Sequence, residues 1–233
     1  MQIINEIGNV QLMQRINRLK VLDFIRKKGV AARPEVAKNT GLSPSSITNI
    51  VSYLIEKKLI VEVGTVDSRE VGRKARLLQF NPDAFDIISI NIEMSSVTIA
   101  LTNMNGDVIR KKEVTLDRLL KDFEILNIIK REISLLIGEF TENPDVRIAG
   151  IGIAVSGLVE GDERVVISSS LRWRGLSLKE YFENSFGIPT FVQNNSRTKA
   201  IYELRRERTE LEKNIIFLDL ADGIGIINFF DNK

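Results

Sequence analysis

Two adjacent asparagines, Asn194 and Asn195, stand where a strand-like run, Phe191-Val192-Gln193, meets the start of a polar helical stretch. The carboxyl end of a strand is where α/β proteins place their chemistry. An asparagine offers one carbonyl oxygen and two N–H donors. It neither takes up nor gives a proton near neutral pH, so it cannot serve as a general base. The chain contains no histidine and no cysteine. That removes the commonest general base, the thiolate nucleophile, disulfides and the thiolate and imidazole ligands of metal sites. Two readings of the pair stay open. Either both residues cap the helix over 196–212, for which asparagine is favoured, or they form a hydroxyl-binding edge without chemistry.

A second set of side chains suits nucleic acid. Ser45, Ser46, Thr48 and Asn49 are short hydrogen-bonding residues at the start of an amphipathic stretch, and Arg69, Arg73, Lys74 and Arg76 crowd one later loop. Small polar side chains at an exposed helix start can read base edges in a major groove, and loop cations can hold phosphates.

The elements that must position them follow from spacing. A helix is predicted over 10–28, with Ile16, Leu19, Leu22 and Ile25 as its apolar stripe and Gly29 as its stop. A short helix follows in RPEVAKNTG, where Pro34 suits a first turn and Gly41 the residue past the end. The next helix spans 43–58. Ser43 is its N-cap, Pro44 its first residue, and Ile47, Ile50, Val51, Leu54 and Ile55 its buried face. Strands at Leu59–Val63 and Ala75–Phe80 flank the basic loop. Two short helices, a tight turn and a basic hairpin describe a winged helix-turn-helix. Its partner is a double-stranded DNA operator, with bases read by Ser45, Ser46, Thr48 and Asn49 and phosphates held by Arg33, Arg73 and Lys74. The plain alternative is a small helical domain whose helix 43–58 docks on protein.

Charge supports a division of labour. Of 233 residues, the first 80 carry 14 Lys+Arg and 7 Asp+Glu, net +7; the rest carry 19 and 24, net −5. Domains are therefore expected at 1–80 and 81–233. Hydrophobic content of 43% and charged content of 27% fit a soluble globular protein. No apolar run reaches the ~20 residues of a membrane span, and the N-terminus lacks a signal-peptide core. A cytoplasmic protein is expected, with no membrane partner.

The second part reads as α/β. Three strands lie within 87–116, with Asn105-Gly106 as a tight turn. A helix over 118–140 follows, its buried face formed by Leu119, Phe123, Leu126, Ile129, Ile133, Leu136, Ile137 and Phe140. Then come an apolar strand in RIAGIGIAVSG, a loop holding Trp173, a helix at 178–186, a strand at 189–193, the helix 196–212, and strands at 215–220 and 224–230.

This order and four segments, IGIAVSGLV, the LRW loop, GIPTFVQNN and NIIFLDLADGIG, resemble the ROK family of repressors, open reading frames and sugar kinases. The resemblance implies an actin/hexokinase-like, ribonuclease H-like domain, here ending early in its second lobe. The segment GLSPSSITNIVSYL and the wing-like Gly72-Arg73-Lys74 resemble the family's repressor branch. The departures bear on function. Family kinases carry an Asp-x-Gly-Gly-Thr phosphate turn; here it is Asn91-Ile92-Glu93-Met94-Ser95. Family kinases place an Asp base where Asn195 stands. The second phosphate turn is Ala221-Asp222-Gly223-Ile224-Gly225, so Glu93 and Asp222 bring carboxylates to would-be phosphate sites. The family's zinc site needs His and Cys. The resemblance therefore implies no catalytic residue, no metal and no cofactor. Ser170, Asn194 and Asn195 match positions that hold sugar hydroxyls in the family.

The expected protein is a sequence-specific DNA-binding regulator, a homodimeric repressor of carbohydrate-metabolism genes. Its inactive sugar-kinase-like domain would sense a sugar or sugar derivative. The alternatives are a ROK sugar kinase with an appended winged helix, or a ligand-independent DNA-binding dimer. The apolar hairpin 215–230 is expected to pack against a second copy or fold back on the first lobe.

Overall fold

The computed structural model describes residues 2–66, 75–140, 147–161, 163–206, 214–220 and 223–230. The chain divides into two compact units, Met1–Ala84 and Phe85–Lys233.

The first unit runs α1 (Gln2–Lys28), β1 (Val30–Ala32), α2 (Arg33–Thr40), α3 (Pro44–Glu56), β2 (Ile60–Val66) and β3 (Ala75–Phe80). The three strands form an antiparallel sheet in the order β1-β3-β2. The helices pack on one another, and Val21, Ile25, Val36, Ile47, Val51, Leu54, Ile60 and Leu78 are buried. Local chemistry sets the boundaries. Gly29 ends α1 at φ 85°, and Gly41 ends α2 in the left-handed region at φ 70° with its N–H on the Ala37 carbonyl. Pro44 opens α3 behind the Ser43 cap.

Two expectations need correction here. Helix α1 starts at Gln2 rather than at residue 10, and Ile16 and Leu19 are 47% and 56% exposed. Of the expected stripe Ile25 is buried and Leu22 half-buried, and Val21 joins them. An apolar spacing shows that a helix has a hydrophobic face, but α1 has two, and only the tertiary fold decides which is covered. The three-residue strand β1 was not expected at all. Residues 67–74, with Arg69, Arg73 and Lys74, lie outside the described residues.

The second unit begins with β4 (Asp86–Ile92), β5 (Ser96–Asn103), β6 (Val108–Thr115), α4 (Asp122–Phe140) and β7 (Ile148–Val155). It continues with β8 (Leu158–Glu160), β9 (Arg164–Ser168), β10 (Trp173–Leu176), α5 (Leu178–Phe186), β11 (Thr190–Asn194), α6 (Asn195–Arg206), β12 (Asn214–Leu220) and β13 (Ile224–Phe230). Its main sheet has five strands in the order β11-β7-β4-β5-β6. The β11–β7 and β7–β4 pairs are parallel; β4–β5 and β5–β6 are antiparallel. Strict alternation along β4 sends Ile88, Ile90 and Ile92 into the core. There they meet Val97, Ile99, Ile151 and Ile153, with Ile129 and Ile133 of α4 and Phe182 of α5.

Helix α4 starts at Asp122, not at 118, so Leu119 lies ahead of it and is 85% exposed; Phe123, in its first turn, is 55% exposed. The reason is local. The Leu119 N–H donates to Asp117 Oδ1 and the Lys121 N–H donates to Glu124 Oε2, which holds a turn open ahead of the helix. Glu132 lies buried among the apolar residues of α4. Lys112 and Arg131 close on its carboxylate, and the Lys112 contact holds it below the usual carboxylate range against the opposing effect of burial. The loop expected around Trp173 is a small antiparallel sheet, β10-β9-β8.

Candidate functional site

The parallel pairing of β11 with β7 sets Asn194 beside Val155, so the ends of both strands arrive together. After Val155 the chain turns at Gly157, whose φ is 121°. A Cβ there would stand 2.5 Å from the Ile167 carbonyl oxygen, so only glycine lets β9 approach this closely. Asn194 locks the turn to the helix. Its Nδ2 donates to the Gly157 carbonyl at 2.8 Å, and its Oδ1 accepts the Arg197 N–H at 3.0 Å. Asn194 is thus the N-cap of α6. Asn195 is the first helical residue, and its Oδ1 accepts only the neighbouring Ser196 N–H, at 2.9 Å. Among the described residues no group accepts from its Nδ2.

A cavity of about 660 Å³ opens at this junction. Ser170, Asn194 and Asn195 all line it, together with Glu93, Ser156 and Asp219. The three expected sugar-binding positions therefore meet in one place, although they are spread over 26 residues of sequence. Ser170 Oγ donates to Ser156 Oγ at 2.9 Å, so the hydroxyls of two loops meet at the wall. Glu93 closes the β4–β5 turn, its N–H donating to the Ser96 carbonyl at 2.9 Å. Its carboxylate accepts from Asn91 Nδ2 at 3.0 Å. The Glu93 N–H is therefore committed to the β4–β5 turn. Asp222 lies outside the described residues.

Sequence reasoning missed Asp219, which lies on β12 as an acid in an alternating strand. Ser196 Oγ donates to it at 2.7 Å and Lys199 Nζ lies 3.2 Å away. The Ser196 hydroxyl, helped by Lys199, holds its carboxyl below the ordinary range although burial works the other way. Asp219 is thus a fixed anion that ties α6 to β12. The lining combines hydroxyls, amides, the carboxylates of Glu93 and Asp219, and the cations Arg197 and Lys199, the latter paired with Asp219. That set accepts and donates to a neutral polyhydroxylated ligand. A second cavity of about 870 Å³ adjoins it at Gln193, Asn195 and Lys199, floored by Ser89, Ala100 and Gly152; its exposed wall is mostly apolar, with Asn91, Thr98 and Glu203 among its lining.

In the first unit, the start of α3 is exposed and stiff. Ser43 Oγ accepts the Ser46 N–H at 3.2 Å, and the Ser43, Ser45 and Ser46 hydroxyls join at 2.9–3.0 Å. Thr48 Oγ1 donates to the Pro44 carbonyl at 3.0 Å. Ser45, Thr48 and Asn49 face solvent. Arg33 does not stand free. Its Nη2 lies 3.1 Å from Glu62 Oε1, and Arg76 pairs with the other oxygen of the same carboxylate.

Among the described residues no group of three or more acidic side chains could hold a metal ion, and no helix is long and apolar enough to cross a membrane.

Known proteins share this sequence and architecture. A xylose repressor of Caldicellulosiruptor bescii is 28% identical over 97% of this chain and 56% of its own length. The DNA-binding transcriptional dual regulator NagC of Escherichia coli is 27% identical over 85% of this chain and 48% of its own length. The crystal structure of a ROK family transcriptional regulator, a homologue of the E. coli MLC protein, superposes with a TM-score of 0.80 at 25% identity. It covers 95% of this chain and 56% of the other. The chain thus spans about half the length of the relatives it matches. The second unit is a mixed α/β domain of the actin/hexokinase type, and the ROK family model matches residues 87–233. Over more than half its length, in sequence and in fold, this chain belongs to the ROK family.

Proposed function

We propose that the chain is a sequence-specific DNA-binding transcriptional repressor of carbohydrate-metabolism genes, acting in the cytoplasm as a homodimer. The first unit, residues 1–80 in the sequence division, is a winged helix-turn-helix. The observation that carries the reading is the start of α3: an exposed polar turn, held rigid by the Ser43 cap, on three helices followed by a β2–β3 hairpin. Rigid placement lets Ser45, Ser46, Thr48 and Asn49 meet base edges without ordering cost. Arg33, Arg73 and Lys74 hold phosphates. Relatives named xylose repressor and NagC support the regulatory role.

The second unit, 81–233, is the first lobe of the sugar-kinase-like domain with the first hairpin of the second. It senses a sugar through Ser170, Asn194 and Asn195 and transfers no phosphate, because Asn195 cannot accept the hydroxyl proton. A sugar that favours one dimer geometry shifts operator affinity. Dimerisation is supported by unpartnered apolar surface. Ile216, Leu218, Leu220, Ile224 and Ile226 share one face of the β12–β13 hairpin, and each is more than half exposed.

The test is selection of bound duplexes from a random DNA pool, followed by thermal shift with xylose, N-acetylglucosamine and other sugars. A pseudo-palindromic site and a sugar-dependent shift are expected. Enrichment of no site overturns the DNA reading. Tight binding with no sugar response favours the ligand-independent dimer.

A further inference from the structure

The first unit contains an ion cluster that the DNA reading does not by itself explain. Three strands bring it together. Arg33 follows β1 directly, and the last β1 pair, Ala32 with Leu77, leaves Arg33 alongside Arg76 of β3. Across the central strand, Glu62 pairs with Leu78, and a bulge between Glu62 and Gly64 displaces the register there. One carboxylate thus collects two guanidiniums: Arg33 Nη2 at 3.1 Å from Oε1, and Arg76 Nη1 on Oε2. The side chain of Glu62 is 24% exposed, those of Arg33 and Arg76 36% and 57%. The acid lies inward and Arg76 outward, while Arg33 is half-buried, with its Nε buried and without a partner among the described residues.

Each guanidinium has five N–H donors, and the carboxylate takes up only a part of the ten. Two positive charges on one negative leave the cluster net positive. Arg76 stands one residue inside the start of β3, at the root of the loop that carries Arg69, Arg73 and Lys74 in the sequence.

We propose that Arg33, Glu62 and Arg76 form one site for a phosphodiester oxygen of the DNA backbone, in which Glu62 is a positioning residue. The carboxylate gathers the two arginines and fixes their planes, and the outward N–H groups meet the phosphate. Paired donors in a planar fork are the geometry that phosphate accepts best. This rests on the proposed DNA-binding role; it adds Glu62 to the residues read from sequence and joins Arg76 to Arg33 in one site.

The positioning role makes a prediction opposite to simple charge. Glu62→Gln removes a negative charge from a DNA-facing surface, so electrostatics alone predicts tighter binding. Loss of positioning predicts weaker binding. The probe is a short labelled duplex of mixed sequence, because sequence-independent affinity comes from phosphate contacts. Binding of the full chain is measured by anisotropy across a salt series. The expected result for Glu62→Gln is affinity reduced about threefold or more, with a shallower dependence of log K on log salt. Arg76→Gln, at a mostly exposed side chain, tests the site without touching the acid; its slope is expected to fall by about one, the mark of one lost phosphate contact. Unchanged or tighter binding by Glu62→Gln overturns the positioning role while the wild type still binds. An unchanged slope for Arg76→Gln overturns the site. Absent or salt-independent binding by the wild type overturns the DNA reading as well.

Discussion

Replacing Asn194 by alanine separates the two asparagines that the sequence leaves indistinguishable. The perturbation removes two hydrogen bonds of different kinds. Oδ1 caps α6 through the Arg197 N–H, and loss of such a cap costs about 1 kcal/mol. Nδ2 reaches across 37 residues to the Gly157 carbonyl at 2.8 Å in a part-buried site. Its loss adds about 1 kcal/mol, the net worth of an ordinary hydrogen bond. Asn194→Ala should therefore destabilise the second unit by about 2 kcal/mol. Asn194→Asp keeps the cap and adds a favourable charge at the helix start, but sets an oxygen against the Gly157 carbonyl, so it should cost about 1 kcal/mol. Asn195→Ala loses only a bond to its own neighbour and should stay within about 0.5 kcal/mol of wild type. The assay is urea unfolding followed by tryptophan fluorescence. Trp173 is the single tryptophan, is buried, and belongs to the second unit, so the signal reports that unit alone. An Asn194→Ala variant as stable as wild type, or an Asn195→Ala variant as costly as Asn194→Ala, refutes the assignment of capping to Asn194.

Three further outcomes follow from packing and charge. Gly157→Ala puts a Cβ 2.5 Å from the Ile167 carbonyl and 2.8 Å from Ser168 Cβ at a positive φ; it should cost about 3 kcal/mol or more by the same fluorescence assay. Ser43→Ala should lower the stability of the first unit by about 1 kcal/mol, read by circular dichroism, since no tryptophan lies there. Glu132 has its folded pKa lowered by Lys112, so its stabilisation is full above the unfolded value of about 4.3 and fades as pH falls through the folded value. Glu132→Leu should abolish that part of the acid sensitivity in urea titrations at descending pH. At neutral pH it should cost about 1 kcal/mol or less, because Lys112 and Arg131 are more than half exposed and return to water.

Elements with strong periodicity and punctuation were legible. The buried face of α3, Ile47, Val51 and Leu54, follows its spacing, and Ser43, Pro44, Gly41 and Gly29 stand where capping chemistry puts them. What the pattern could not supply was set by contacts distant in sequence. Ile16 and Leu19 have the right spacing on α1, but the covered face is chosen by α2, α3 and the sheet. Leu119 is apolar at helical spacing, yet the Asp117 and Lys121 turn bonds delay α4 past it, and Phe123 falls in the exposed first turn. Strand β1 is too short to show periodicity, and β8–β10 alternate too little to stand out from loop. At the site, Ser170, Asn194 and Asn195 were found through resemblance. Asp219 was not, because its role depends on Ser196 and Lys199 of a different element.

The geometry gives the two asparagines different work, and this bears on what the cleft can still do. Asn194 is structural: it sits under the turn at Gly157 and would be needed with or without a ligand. Asn195 lines the cavity with donors to spare, where a proton acceptor would be required for transfer. Restoring an acid there would not restore transfer. Asn195→Asp would add a carboxylate to a cavity that already holds Glu93 and Asp219. Like charges raise one another's pKa, so the new group would be a poorer anion and a neighbour hostile to phosphate. The Glu93 N–H would remain on the Ser96 carbonyl. A cavity lined by hydroxyls and amides, with Glu93 and Asp219 in its wall, fits the proposed sensor better than a phosphate-transferring site.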